Sequence, residues 1–364
     1  MNLPDIIDNE ALKDIVGSKN LALICSKNWK DNSKIEKILS LSLSSFKQVV
    51  LVPSGEPESK SLDKISQELD PDLDGLVALG GGSSIDSAKM LAILKAEKSY
   101  CTDYEFNKKK ITKKLMPVIA IPTTSGSGSE SSMYAVINNS QTHRKFTITH
   151  NSIVPSKVLL YPELTIDLPR RITISAGMDA FIQAFEAFFT KDSNPISAYL
   201  APTVMSSILK NLSYVIKNPG DLQARKSMQK SSFLSGICIN YSRTGLIHTI
   251  SMALSEYYSN LHGELNTIIM PYVIKYNKNY YNPLKEEMNF LLMMSGFESL
   301  NSFLDYVISY CQELSLVPTQ NKIPDKERMI NRIFQDSELC SVNPREINEI
   351  ELLKIIECVI ELIG

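Results

Sequence analysis

Residues 76–89 read LVALGGGSSIDSAK, and this stretch decides the fold. Its apolar start is typical of a buried strand in a parallel sheet, and the three glycines permit positive φ and a close backbone approach. The helical pattern that follows would point the free N–H groups of its first turn at an anion. We therefore predict a strand, a turn and a helix that together cradle a phosphate or pyrophosphate. Neither GxxxxGK[ST] nor GxGxxG occurs here, and a tight turn capped by Ser83 or Ser84 is the alternative.

A second polar loop follows the next apolar run. Residues 117–121 read PVIAI and residues 122–130 read PTTSGSGSE. Loops that leave the carboxyl ends of neighbouring parallel strands face one crevice, so one extended ligand could contact both. Taken alone, this loop could equally be a flexible Gly/Ser turn.

Outward from these loops, the chain up to about residue 165 alternates apolar runs with amphipathic stretches. We predict strands at 20–25, 48–52, 75–79 and 117–121, and helices at 33–43, 59–69 and 84–96. Continuously apolar strands separated by helices favour a doubly wound parallel α/β sheet.

Beyond residue 165 the periodicity changes to 3.6, which predicts an all-α domain. The predicted helices are 176–189, 198–209, 222–238, 244–258, 264–276, 297–314 and 347–363. The expected domains are therefore 1–165 and 166–364, and the cleft between two such domains is the default ligand site.

The composition sets broad limits on function. The chain has 364 residues, 43% of them apolar, with 38 Lys and Arg against 40 Asp and Glu. Such a chain can build two cores, and without a basic block we expect no nucleic-acid binding. The six cysteines form no CxxC pair, which indicates reduced thiols in a cytoplasmic protein. The N-terminus does not read as a signal peptide, and no apolar run is long enough to span a membrane.

Four ordered motifs resemble one known family, the iron-containing (group III) alcohol dehydrogenases. They are the glycine run at 80–86, the loop at 122–130, GMDA at 177–180 ending in EA at 186–187, and LHG at 261–263; NPR at 343–345 extends the match. The resemblance implies a dinucleotide-binding α/β domain, a helical domain that carries a divalent metal, and a homodimer. It also implies NAD(P)-dependent hydride transfer between nicotinamide and a small alcohol or aldehyde.

The resemblance assigns cofactor roles to individual residues, although each could instead be an exposed turn residue. The glycine run would hold the pyrophosphate, the second loop would line the nicotinamide and its ribose, and a lysine would lie near the cofactor. The residues concerned are Gly80, Gly81, Gly82, Ser83, Ser84, Asp86, Thr123, Thr124, Ser127 and Lys145.

The family's metal ligands are an Asp, a His four residues later, and two His separated by fourteen positions. Asp179, His248 and His262 match and are the expected catalytic and metal-binding residues, but Gln183 stands where the second ligand should be. A neutral amide oxygen is a weaker ligand for Fe²⁺ or Zn²⁺ than imidazole, so Gln183 is a doubtful fourth ligand. The glycerol dehydrogenase branch of the same superfamily looks like a precedent for a metal site with three protein ligands. A metal-independent reductase and a non-catalytic nucleotide-binding homologue remain alternatives.

A second departure is Met252, which occupies a position where many family members place a histidine that relays a proton. Methionine carries no proton, so Tyr257, Tyr258, a water or the metal-bound water would have to serve.

The segment 242–251 resembles the phosphonoacetaldehyde reductase branch of the family. That branch implies an anionic aldehyde, which Arg243 or Arg170 could bind in a bidentate contact.

The choice between NAD and NADP depends on the end of the first predicted strand. NAD-selective members resemble one another in having an Asp there, which binds the ribose 2′-OH and repels a 2′-phosphate. Here Ser26 takes that place beside Lys27, which favours NADP(H), with NAD(H) as the alternative.

Overall fold

The computed structural model describes residues 2–30, 33–259, 262–316, 319–320, 322–335 and 340–363. The chain forms two compact units, Met1–Asp167 and Leu168–Gly364. Each unit has its own core.

The first unit is built on a parallel sheet. Its strands are β1 (Asp5–Ile6), β2 (Leu21–Ser26), β3 (Gln48–Val52), β4 (Gly75–Gly80), β5 (Val118–Pro122) and β8 (Lys157–Val158). Their order in the sheet is β1-β8-β5-β4-β2-β3, with every neighbouring pair parallel. The central strands β4 and β5 are buried along their whole length, because helices of the α/β unit cover both faces of such a sheet.

The helices of the first unit are α1 (Asn9–Ser18), α2 (Lys27–Lys30), α3 (Lys34–Leu39), α4 (Ser59–Glu68) and α5 (Gly82–Glu97). The predicted doubly wound fold is confirmed. The predicted helix at 33–43 is wrong in length: Ser40 ends it with φ +50°, and a separate 3₁₀ turn occupies Leu43–Ser45. Two further elements form an antiparallel hairpin that the sequence pattern did not reveal, β6 (Tyr134–Asn138) and β7 (Lys145–Thr149).

The second unit is helical, as predicted. Its helices are α6 (Arg170–Phe189), α7 (Pro195–Lys217), α8 (Leu222–Ser242), α9 (Leu246–Leu254), α10 (His262–Asn277), α11 (Lys285–Ser295), α12 (Leu300–Leu314), α13 (Lys326–Gln335) and α14 (Glu349–Ile363). Helix α6 is buried over nearly its whole length and carries an aromatic cluster, with Phe185 packed against Phe189, Tyr281 and Phe303.

The predicted helix 244–258 is wrong at its carboxyl end. Helix α9 ends at Leu254, and the chain then forms β9 (Tyr258–Ser259), which pairs antiparallel with β10 (Thr319–Gln320). Helices α11 and α13 were not predicted from the sequence.

None of the six cysteines, all of which lie among the described residues, forms a disulfide, and four of them, Cys25, Cys101, Cys238 and Cys311, are buried. Among the helices that the structure describes, none has the length and apolar character needed to cross a bilayer.

Candidate active site

The glycine run forms the predicted turn between β4 and α5. Gly80 has φ +151°, a conformation that residues with a side chain rarely adopt. Gly81 occupies the N-cap position and its carbonyl oxygen accepts from the N–H groups of Ser84 and Ile85 at 3.0 and 3.3 Å. The N-cap residue is therefore a glycine, and the alternative of a serine N-cap is wrong. Backbone N–H groups at the N-terminus of a helix suit an anion.

The two polar loops converge, as the sequence predicts. The Thr123 N–H donates to the Gly80 carbonyl oxygen at 3.0 Å. A Cβ atom on Gly82 would lie 2.5 Å from the Ser127 hydroxyl oxygen, and one on Gly81 would lie 3.2 Å from that of Thr124. A side chain at either glycine would therefore force Thr124 or Ser127 of the second loop to shift.

Ser26 lies at the same edge of the sheet as these loops. It ends β2, whose neighbours are β4 on one side and β3 on the other. Strand β3 lies on one side of β2, and β4, the next strand in the sequence, lies on the other side. The direction in which successive strands are added to the sheet therefore reverses at this point. Ligands of open α/β sheets bind at such a switch point, outside the carboxyl ends of the strands.

Asp86 does not extend into the open crevice but is buried under the second loop. Its carboxylate accepts from the Ser129 hydroxyl and, at 2.9 Å, from the Val136 N–H. Burial raises the pKa of Asp86, although Lys89, 3.9 Å away, opposes this. Asp86 therefore connects α5 to both the 122–130 loop and the β6–β7 hairpin.

Lys89 is fully buried beside Asp86. Its ammonium donates to the carbonyl oxygens of Ser132 and Tyr134 at 2.9 and 2.7 Å. Burial lowers its pKa to about 8, although Asp86 acts in the opposite direction. Lys145, the other charged residue predicted near the cofactor, forms an ion pair with Glu56 at 2.9 Å.

In the second unit, Asp179, His248 and His262 come together from α6, α9 and α10. Their ligand atoms all lie within 4.8 Å of one another. Asp179 Oδ1 is 3.4 Å from His248 Nε2 and 3.9 Å from His262 Nε2. Ligand atoms bound at about 2.0–2.2 Å to one ion lie about 2.8–3.6 Å apart, so small shifts would place all three around a divalent metal. The donor set of one carboxylate and two imidazoles fits Fe²⁺ or Zn²⁺.

Glu186, which was noticed in the sequence only as part of a motif, orients His248. His248 Nδ1 lies 2.6 Å from Glu186 Oε2, and the other carboxylate oxygen accepts from the Ile247 N–H at 2.7 Å. A neutral imidazole that donates through Nδ1 keeps the lone pair on Nε2, the atom that faces Asp179. Glu186 therefore prepares His248 to be a ligand.

The charges of the cluster favour a cation between these residues. Burial alone would lower the pKa of His248, but Glu186 and Asp179 outweigh it and raise this pKa to about 9. Burial alone would raise the pKa of Asp179, yet the two histidines hold it below its usual value. The carboxylates that stabilise an extra proton on His248 would equally stabilise a metal ion.

Gln183 does not present an oxygen to this cluster. Its Nε2 lies 3.4 Å from Asp179 Oδ2, while its Oε1 accepts from the Ser235 hydroxyl at 3.0 Å. Asn266, which no motif indicated, contacts the cluster instead. Its Nδ2 donates to Asp179 Oδ1 at 2.9 Å and lies 3.2 Å from His248 Nε2. The available signal was its position four residues after His262, on the same face of α10.

The start of α10 is held tightly against α6. A Cβ atom on Gly263 would overlap the backbone carbonyl of Ser175, so only glycine permits this approach beside His262. Arg171 Nη2 donates to Glu264 Oε2 at 2.8 Å, and the Glu264 side chain is fully buried. This ion pair fixes the first turn of α10, and with it His262.

Four residues, Ser251, Met252, Tyr257 and Tyr258, bear on the transfer of a proton. Met252 is half-buried on α9, and the Ser251 hydroxyl lies 3.5 Å from His262 Nδ1. Tyr257 and Tyr258 are buried, and burial raises the pKa of both phenols. A raised pKa keeps the phenols protonated at neutral pH.

The two arginines considered for an anionic substrate differ in their surroundings. Arg243 has φ +62° and lies 3.5 Å from the Asp192 carboxylate. Arg170 is exposed at the start of α6.

Comparison with known proteins extends this description. The family model of the iron-containing alcohol dehydrogenases matches residues 8–162, and that of the C-terminal domain of the same family matches residues 173–359. The NAD-dependent methanol dehydrogenase of Bacillus methanolicus is 29% identical over 284 residues, which are 75% of this chain and 74% of that protein. The NADPH-dependent butanol dehydrogenase of Clostridium saccharobutylicum is 26% identical over an alignment of 371 positions, which covers 96% of this chain and 94% of that protein.

The fold has solved counterparts. An iron-containing alcohol dehydrogenase from Thermococcus thioreducens superposes with a TM-score of 0.85 and 23% identity, over 99% of both chains.

The parallel sheet with its glycine turn and the carboxylate–histidine cluster of the helical unit fit a nicotinamide-dependent oxidoreductase with a candidate metal site. With both family models matched, the chain belongs to the iron-containing alcohol dehydrogenase family. Its activity is accordingly that of an NAD(P)-dependent enzyme acting on CH–OH groups.

Proposed function

We propose that the chain reduces a small aldehyde to the alcohol with NADPH, and that Asp179, His248 and His262 hold a divalent metal for this reaction. The observation that carries the proposal is the convergence of three ligand atoms, one of them on a histidine already oriented by Glu186. When bound, Fe²⁺ or Zn²⁺ would polarise the carbonyl oxygen of the substrate.

In this proposal the chain's own residues perform distinct tasks. Asp179 balances the charge of the cation, and Glu186 holds His248 in the tautomer that exposes Nε2. His262 is the more exposed histidine, with 31% of its side chain accessible against 7% for His248. We therefore assign the substrate-facing side of the cluster to His262.

The cofactor belongs to residues 1–165 in the proposal, and the metal and substrate to residues 166–364. The pyrophosphate would bind the N–H groups at Gly81, Gly82 and Ser83, and Ser84 lies in the same turn. Thr123, Thr124 and Ser127 would line the ribose and nicotinamide. Because Asp86 and Lys145 are engaged with protein groups, we assign them to shaping the cofactor loops. The family resemblance adds a homodimer in the cytoplasm.

The preference for NADPH is proposed from the end of β2. Ser26 puts no negative charge at the switch point of the sheet, and Lys27, which is exposed, adds a positive one. A 2′-phosphate is therefore tolerated there. The relatives include one named for NAD and one named for NADPH, so the family leaves the choice to this position.

The test removes one ligand and then the metal. His262→Ala should lower kcat/KM by about a thousandfold or more, as loss of several kcal/mol of transition-state stabilisation requires. The Kd for NADPH should stay unchanged, because the cofactor loops lie in the other unit. Metal content, measured before and after chelation, should fall together with turnover and be restored by added Zn²⁺ or Fe²⁺.

The matched control is His150→Ala, which removes a histidine from an exposed turn of the first unit. It should leave metal content and turnover as they were. Unchanged turnover in His262→Ala or in the chelated protein would favour the metal-independent reductase, and NADPH binding without turnover of any aldehyde would favour the non-catalytic homologue.

A further inference from the structure

Asn266 is fully buried, and its amide nitrogen and amide oxygen differ in their hydrogen-bond contacts. Its Nδ2 donates to Asp179 Oδ1 at 2.9 Å and lies 3.2 Å from His248 Nε2. Its Oδ1 is buried and has no hydrogen-bond partner in the part of the chain that the structure describes. An unpaired buried amide oxygen costs free energy comparable to a lost hydrogen bond, so its retention calls for a partner.

The position of the Asn266 amide is that of a ligand. Asp179 Oδ1, His248 Nε2 and Asn266 Nδ2 are separated by 2.9, 3.2 and 3.4 Å. These distances lie within the range of about 2.8–3.6 Å between neighbouring ligand atoms of a single ion. The NH₂ group suits these two acceptors only in the absence of a cation. If a cation lay between them, the NH₂ group would repel it.

A half-turn of the amide would exchange the two ends, placing the oxygen on the side of the cation and the NH₂ group on the side where Oδ1 has no partner among the described residues. The oxygen and nitrogen of an asparagine amide are nearly isosteric, so this rotation exchanges their places without moving the backbone. It would bring the orphaned Oδ1 to the face where Asp179 and His248 converge. Asn266 and His262 are four residues apart on α10, so that both side chains lie on one helical face.

Gln183 differs from Asn266 in that its amide oxygen has a hydrogen-bond partner. The Ser235 hydroxyl donates to its Oε1 at 3.0 Å, which leaves Nε2 as the end that faces Asp179. Turning this amide would satisfy no orphaned atom, because the oxygen already has a partner in the Ser235 hydroxyl.

We propose that Asn266 supplies the fourth protein ligand, through Oδ1, of the metal site formed by Asp179, His248 and His262. This inference rests on the metal binding in the proposed function. In this site an amide oxygen from α10 takes the place of the histidine that the family has at the position of Gln183. Gln183 itself acts as a hydrogen-bond donor that positions Asp179.

The experiment titrates the purified metal-free full chain with Zn²⁺ and Co²⁺, measuring affinity by calorimetry and ligand geometry by the visible absorption of Co²⁺. Asn266→Leu should weaken Zn²⁺ binding at least about tenfold and change the Co²⁺ spectrum. Asn266→Asp, which keeps an oxygen at this position, should retain wild-type affinity or exceed it. Gln183→Leu, the comparison variant, should weaken Zn²⁺ binding less than Asn266→Leu does and should leave the Co²⁺ spectrum as in the wild type, because the Gln183 amide meets Asp179 and not the ion.

Each other result has a definite meaning. Wild-type affinity and spectrum in Asn266→Leu, or Asn266→Asp as weak as Asn266→Leu, would overturn the inference and leave the three-ligand site intact. A spectral change in Gln183→Leu alone would make Gln183 the ligand. A wild-type chain that takes up neither ion would overturn the proposed function, and this inference with it. Should Asn266→Leu fail to fold, the Asn266→Asp and Gln183→Leu arms decide the matter.

Discussion

At the scale of single residues, the site depends on which atoms of each side chain are already engaged. Glu186 occupies Nδ1 of His248, so Nε2 is the atom left for Asp179 and for a cation. Ser235 occupies the oxygen of Gln183, and so this amide faces Asp179 with its nitrogen. Gln183 and Asn266 both face Asp179 with their amide nitrogen, but of their two oxygens only that of Gln183 has a hydrogen-bond partner among the described residues.

Ser26 carries the prediction on cofactor choice. Ser26→Asp places a carboxylate beside the position proposed for the 2′-phosphate, so kcat/KM for NADPH should fall about 10–100-fold through charge repulsion. The value for NADH should fall less or rise. Ser26→Asn adds similar bulk without charge and should keep the NADPH preference. The wild-type protein should itself turn over NADPH better than NADH; a tenfold preference for NADH would rule out the argument from Ser26.

At the scale of elements, α5 begins at the glycine turn proposed to bind the pyrophosphate and also supports the second loop. Its buried Asp86 holds Ser129 and Val136, and its buried Lys89 holds the carbonyl oxygens of Ser132 and Tyr134. The helix therefore fixes the loop and the hairpin through side chains one turn apart.

Asp86→Leu tests this support. It leaves Lys89 buried without its carboxylate, which should cost about 3–5 kcal/mol of unfolding free energy. The Kd for NADPH should rise as well, because the 122–130 loop loses its anchor. Asp86→Leu combined with Lys89→Met removes the unpaired ammonium and should recover part of the stability in urea unfolding. A double variant no more stable than Asp86→Leu would show that the pair is not coupled.

At the scale of the whole molecule, both units contain buried thiols whose ionisation is unfavourable. Burial raises the pKa of Cys238 to about 12, from a usual value of 9.0, and also raises the pKa of Cys101 and Cys311. Above pH 9 the unfolded chain releases thiol protons that the folded chain keeps. The stability from each thiol is therefore complete below pH 9 and is lost as the pH rises toward its folded pKa.

We expect the unfolding free energy to fall by about 1.4 kcal/mol per pH unit for each buried thiol above pH 9. In Cys238→Ala the decline between pH 9 and 11, followed by urea unfolding of the second unit, should be less steep by that amount. Cys358→Ala, which removes an exposed thiol, should decline as steeply as the wild type. An equal slope in Cys238→Ala and the wild type would contradict the raised pKa.

Elements with a long, regular pattern were predictable from the sequence. The apolar runs of β2 to β5 and the amphipathic patterns of α12 and α14 depend on burying a face or a stripe, so each leaves a local signal. Strands β1 and β8 have two residues each, and the pairing of β9 with β10 joins positions about sixty residues apart. Such elements exist because of their partners and have no local signal of their own.

The sequence by itself determined the fold class, the glycine cradle and three metal-ligand candidates, since these depend on residue type and spacing along the chain. Only the tertiary structure decided that Glu186 orients His248, that Asp86 is buried beneath a loop, and that Asn266 meets Asp179. A hydrogen bond needs two groups within about 3 Å and in the right orientation. Asp179 and Asn266 are 87 positions apart, and only the packing of α6 against α10 brings them within that distance.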